Sequence, residues 1–110
     1  MYTAEKRRLT PAEYLALEVA SQGRHEFYAG EMFAMSGGSY WHNLVKDNLA
    51  RALGNRLAGR GCTVLTSDQR VKVDATGLYT YPDVVVFCGR PAFEDGIHYS
   101  AVNPLVLAEV

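Results

Sequence analysis

Two apolar runs, each carrying one acid, restrict this chain more than any other feature. The first is Tyr81-Pro82-Asp83-Val84-Val85-Val86-Phe87-Cys88, and the second is Asn103-Pro104-Leu105-Val106-Leu107-Ala108-Glu109-Val110. Runs of this length, rich in β-branched residues and opened by proline, read as strands buried on both faces. Asp83 stands near the start of the first run and Glu109 at the end of the second. If the strands pair antiparallel, start meets end and the two carboxylates come together. Carboxylates beside an apolar strand are costly to desolvate without a partner, and a divalent cation with oxygen ligands is one such partner.

The rest of the chain supplies a frame for this pair. Thr10-Pro11-Ala12-Glu13 is a helix start, with a capping threonine, a first-turn proline and the glutamate of a capping box. The helix runs through Tyr14, Leu15, Leu17 and Val19 and stops by Gly23. His25 to Tyr28 and Glu31 to Met35 flank Ala29-Gly30 and read as a hairpin. Ser36-Gly37-Gly38-Ser39 is a break. A second helix spans about Trp41 to Ala58, with Val45, Leu49, Leu53 and Leu57 on its inward period. Cys62 to Val73 reads as one strand whose Arg70 and Lys72 alternate outward. Gly89 to Asn103 is a loop. The order predicts a single α+β domain over residues 1–110, with a mostly antiparallel mixed sheet flanked by helices.

Composition narrows the function classes. The formal net charge is −1 over 110 residues, so any binding to nucleic acid must use a local patch. Arg51, Arg56, Arg70 and Lys72 are candidate backbone contacts, although each also reads as an ordinary solvated side chain. Lys6-Arg7-Arg8 leads into a helix start rather than an apolar run, which argues against a secretory leader. No stretch approaches membrane-spanning length. Cys62 and Cys88 read as buried thiols of a reducing compartment, which makes the cytoplasm the expected location.

Taken together, these residues resemble the PD-(D/E)XK nuclease superfamily, and within it a bacterial family of restriction-endonuclease-like proteins. The resemblance rests on the capped first helix, the Gly30-Glu31 step and the Ser/Gly break before His42. It is completed by the strand "YPDVVVF" at 81–87 and by "NPLVLAEV" at 103–110. It implies a restriction-endonuclease-like core and a metal-dependent endonuclease that cleaves DNA phosphodiester bonds with an activated water. Asp83 and Glu109 would ligate Mg²⁺ or Mn²⁺, with the carbonyl of Val110 as a further ligand. His42 and Glu31 would be additional site residues. His42 would hold a carboxylate or the scissile phosphate, and Glu31 would be the extra acid near the first core helix.

The family pattern also continues past its last glutamate to a lysine that orients or activates water. The chain is therefore expected to be the N-terminal portion of a longer family domain, with a terminal strand that pairs in a homodimer. A relative without that lysine has a second reading, a non-catalytic module binding DNA or protein. A third reading is a plain α+β domain whose acids are solvated strand ends.

Overall fold

A computed structural model describes residues 8–94 and 99–110. Lys6 and Arg7 of the basic run, and the stretch 95–98 of the long loop, lie outside them. The elements are α1 (Pro11–Ala20), β1 (His25–Tyr28), β2 (Glu31–Ala34), α2 (Tyr40–Arg56), β3 (Cys62–Thr66), β4 (Arg70–Val73), β5 (Leu78–Thr80), β6 (Val84–Cys88), β7 (Ser100–Ala101) and β8 (Val106–Ala108). The class is α+β, as the sequence predicts.

The local signals act as expected. Thr10 Oγ1 accepts from the Glu13 N–H, and the Glu13 carboxylate accepts from the Thr10 N–H, closing the capping box. Ser39 caps α2 by accepting from the His42 N–H. The β1–β2 hairpin turns on Ala29 and Gly30, whose φ values of 52° and 84° both lie in the left-handed region that a two-residue hairpin turn of this kind needs.

The strands form two sheets. One has five strands in the order β2-β1-β5-β4-β7, and the other has three in the order β3-β6-β8. All pairings are antiparallel except β4 with β7. The predicted single strand from Cys62 to Val73 is in fact β3 and β4, which enter different sheets. Ser67 and Asp68 turn the chain between them, and the Gln69 N–H bonds back to the Thr66 carbonyl. Two short strands, β5 and β7, were not anticipated.

Two clusters make the core. Val71 and Ala101 of the larger sheet meet Val85 and Phe87 of the smaller one, with Phe93 against them. Tyr14 of α1 packs on Phe27 and Tyr79, and the Tyr14 and Phe27 rings stack at 4.8 Å. The second cluster holds α1 to the larger sheet, while α2 lies against β3 and β6.

Burial departs from the sequence reading in several places. Arg70, expected on an outward face, is 6% exposed. Val45, expected inward on α2, is 52% exposed. The helix turns His42, Lys46, Leu49, Leu53 and Leu57 toward the protein instead. β8, expected to be buried, is an edge strand, with Val106 46% and Leu107 44% exposed. It pairs only with β6 among the described residues.

The cysteines also depart from expectation. Cys62 and Cys88 stand opposite one another in the β3–β6 register and form a disulfide. A period-two pairing placed them on the same face. The reading as free thiols is thereby corrected, and the cytoplasmic expectation loses its cysteine argument. Among the described residues no helix is long and apolar enough to cross a membrane.

Candidate active site

The chain passes from the five-stranded sheet into the three-stranded one at Tyr81-Pro82-Asp83, between β5 and β6. Pro82 cannot donate to a ladder, so pairing stops there and restarts at Val84. β6 then pairs with β8, Val84 opposite Ala108 and Val85 opposite Leu107. That register puts Asp83 and Glu109 next to each other, one residue beyond the last pair on each strand.

Each carboxyl group lies within reach of the other and perturbs it. Burial pushes Glu109 up from its ordinary value, and the charge of Asp83 pushes it further. Glu26 adds a third negative charge to the field at Glu109. For Asp83, burial acts in the opposite direction from the net shift. The N–H of Val110 (2.8 Å) and the ring of His42 (3.2 Å) both reach Oδ2 and hold the carboxyl below its usual range. The two carboxyls are thus pushed in opposite directions, Asp83 toward its charged form and Glu109 toward its neutral one.

His42 comes from the first turn of α2. A carboxylate oxygen can only accept, so the Asp83 contact places a hydrogen on Nε2. Nδ1 is buried with no hydrogen-bond partner. The ring fits there because residue 38 is glycine. A Cβ on Gly38 would lie 2.3 Å from Nδ1 and 2.9 Å from Cγ of His42. Gly38→Ala should therefore force the imidazole off Asp83. The His42 ring signals should then lose their dependence on Asp83, read as chemical shifts that no longer respond to Asp83→Asn. Gly37→Ala serves as the control, because nothing lies within 4 Å of a Cβ built there. Identical His42 shifts in the two glycine variants would contradict this role for Gly38.

The remaining sequence candidates fall as follows. Val110 reaches the pair through its N–H, which donates to Asp83. Glu31 opens β2 at the hairpin end, opposite Tyr28. The acid whose charge reaches Glu109 is Glu26 of β1, which also accepts a hydrogen bond from Thr80 Oγ1. Sequence reasoning placed Glu26 in the hairpin without a role. The alternation of the His25–Tyr28 run was the signal that could have found it, since Phe27 packs on α1 and Glu26 must face the other way.

Among the described residues no group of three or more His, Cys, Asp or Glu side chains is arranged to hold a metal ion. The donor set suits a hard cation that needs few protein ligands. Mg²⁺ keeps several waters and binds through one or two carboxylates plus substrate phosphates. Two adjacent carboxylates, one of them pushed up by the charge of the other, offer such a cation a place.

Comparison with known proteins was informative at the level of family. The model of the Uma2 family, described as "Putative restriction endonuclease", matches residues 11–110. A protein of Synechocystis sp. described as "Uncharacterized protein sll1609" is 36% identical over 110 residues, covering 100% of this chain and 62% of the relative. A second protein of that organism, "Uncharacterized protein slr1290", is 37% identical over 81 residues, covering 74% of this chain and 43% of the relative. The chain thus spans 62% and 43% of the lengths of these curated relatives. No solved structure matches it.

Proposed function

This chain belongs to the Uma2 family, and from that premise we propose that it carries the acid pair of a metal-dependent endonuclease acting on DNA. The observation that carries the reading is the β6–β8 register, which sets Asp83 and Glu109 side by side at the junction of the two sheets. Asp83 and Glu109 would hold Mg²⁺ or Mn²⁺. A cation bound there supplies Lewis-acid polarisation of the phosphodiester and lowers the pKa of a water nucleophile.

The chain's own groups do the positioning. The Val110 N–H and the His42 ring fix Oδ2 of Asp83. A cation held there would offset the repulsion that pushes Glu109 up, and the negative charge of Glu26 would add to its attraction. The carbonyl of Val110 and the carboxylate of Glu31 remain proposed contributors by family resemblance alone.

The test is cleavage of supercoiled plasmid with Mg²⁺, with Mn²⁺ and with excess chelator. Conversion to nicked or linear DNA with either cation and none with chelator supports the reading. Conversion that is indifferent to chelator contradicts it.

We also propose that the chain forms a homodimer in solution. The support is the exposed apolar edge of β8, where Leu105, Val106, Leu107 and Val110 are 44–68% exposed. Sedimentation equilibrium should return a mass near 24 kDa, about twice the 12.1 kDa of one chain. A concentration-independent monomer would contradict it.

A further inference from the structure

A cavity opens beside Asp83. It encloses about 230 Å³ and runs from Asp83 and His42 at one end to Arg24, Lys46 and Ser67 at the other. Ligand sites for drug-sized molecules span about 300–1,000 Å³, so this one suits a small group rather than a nucleobase with its sugar.

Its far end concentrates positive charge. Lys46 lies one helical turn after His42 on α2, so both side chains point the same way. Lys46 Nζ donates to Ser67 Oγ at 2.9 Å. The guanidinium of Arg24 donates to the carbonyl of the same serine. Two cations thus converge on one residue of the β3–β4 turn, and Lys46 is only 16% exposed. The acids that answer them are Asp47, 3.8 Å from Lys46 and 61% exposed, and Asp68, 3.7 Å from Arg24 and 97% exposed. Exposed pairs of this kind contribute about 0–1 kcal/mol and leave most of the positive field directed into the cavity. The Ser36-Gly37-Gly38 wall belongs to the loop that leads into the α2 N-terminus, whose dipole has the same sign.

We propose that this cavity is a phosphate subsite. In it Lys46 and Arg24 take a backbone phosphate of the same nucleic-acid strand whose scissile group lies over Asp83 and Glu109. The assignment rests on the nuclease reading for the identity of the strand, but the anion chemistry stands on the two cations and the cavity. Lys46 and Arg24 are positioning residues that set where the strand lies. Asp83 closes the cavity at the opposite end, so an anion seats toward Ser67 rather than against the carboxylate.

The experiment has two arms. In the first, inorganic phosphate is titrated into the ¹⁵N-labelled chain while the amides of Gly37, Gly38 and Asn43 are followed. Saturable shifts are expected in the wild type, with about tenfold weaker binding in Lys46→Gln, which keeps an amide for Ser67 but loses the charge. Absence of saturation in the wild type, or wild-type affinity in Lys46→Gln and Arg24→Gln, would overturn the subsite. In the second arm, binding of a short DNA duplex in Ca²⁺ is measured against salt. Each lost phosphate contact lowers the slope of log K against log salt by about 0.9. A slope unchanged in Lys46→Gln, with inorganic phosphate binding lost, would overturn the assignment to nucleic acid in favour of a free anion. A lowered slope in a chain that never cleaves plasmid would support the subsite and defeat the nuclease reading instead.

Discussion

On the proposed nuclease reading, Asp83→Asn should abolish metal-dependent DNA cleavage while leaving the fold intact. Asparagine keeps the size of the side chain and an oxygen that accepts from the Val110 N–H and the His42 ring. It removes the charge that would hold a cation beside Glu109. A metal's Lewis-acid contribution to phosphoryl transfer is several kcal/mol, and each 1.36 kcal/mol is tenfold in rate, so a loss of about 10³-fold is expected. Stability should change little, because the ionised Asp83 contributes through the hydrogen bonds that depress its carboxyl, and relief of the repulsion on Glu109 offsets that loss. Residual activity within a factor of a few of wild type, in a variant with an unchanged melting temperature, would contradict the assignment of Asp83.

The second large effect is structural and lies on the opposite side of Tyr81. Glu18 of α1 is buried, and its carboxylate accepts from the His25 N–H at 2.7 Å, the His25 ring at 2.8 Å and the Tyr81 hydroxyl at 2.7 Å. Tyr81 in turn accepts from buried Arg70 at 3.2 Å, and Arg70 donates to Ser100 Oγ at 2.7 Å. Glu18→Ala would leave the Arg70 charge without its nearby carboxylate and strip three donors of their acceptor. Breaking a buried charged network of this kind costs about 3–5 kcal/mol. For a domain of this size that lowers the melting temperature by about 10 °C or more. A change of under about 1 kcal/mol, the range of ordinary surface substitutions, would show that the network carries little.

Glu18 also sets a pH dependence. Burial alone would raise its carboxyl, but the hydrogen bonds from Tyr81 and His25 outweigh burial and hold it below the ordinary 4.5. A depressed folded value means that its contribution is fully present above 4.5 and is lost as pH falls through the folded value. The stability advantage of wild type over Glu18→Gln should therefore be constant near neutrality and shrink in acid.

The acid pair was legible in the sequence because two local rules sufficed. Pro82 marks where pairing begins, and antiparallel pairing brings a strand start to a strand end. The first helix was legible because the Thr10–Glu13 box is local. What escaped depended on long-range register and packing. Glu18 occupies the helix position after Leu17 and reads as an ordinary outward acid until Tyr81 and His25 are brought to it. Arg70 and Lys72 alternate with valines, yet the Ser67-Asp68 turn rotates β4 into the other sheet and buries Arg70. Cys62 and Cys88 form a pair only once β3 is set against β6. The exposure of Val106 and Leu107 depends on what packs beside β8, which no local pattern records. Glu26 was missed because a hairpin acid is normally solvated, and only the crossing of the chain between the sheets brings its charge to bear on Glu109.

The central claim is that Asp83 and Glu109 together hold one divalent cation. Calorimetric titration of Mn²⁺ into the wild-type chain and into the Asp83→Asn/Glu109→Gln double variant tests it most directly, since it needs no substrate and no turnover. The account predicts one saturable site per chain in the wild type and none in the double variant, with the two proteins equally folded. Equal Mn²⁺ binding by both would contradict it.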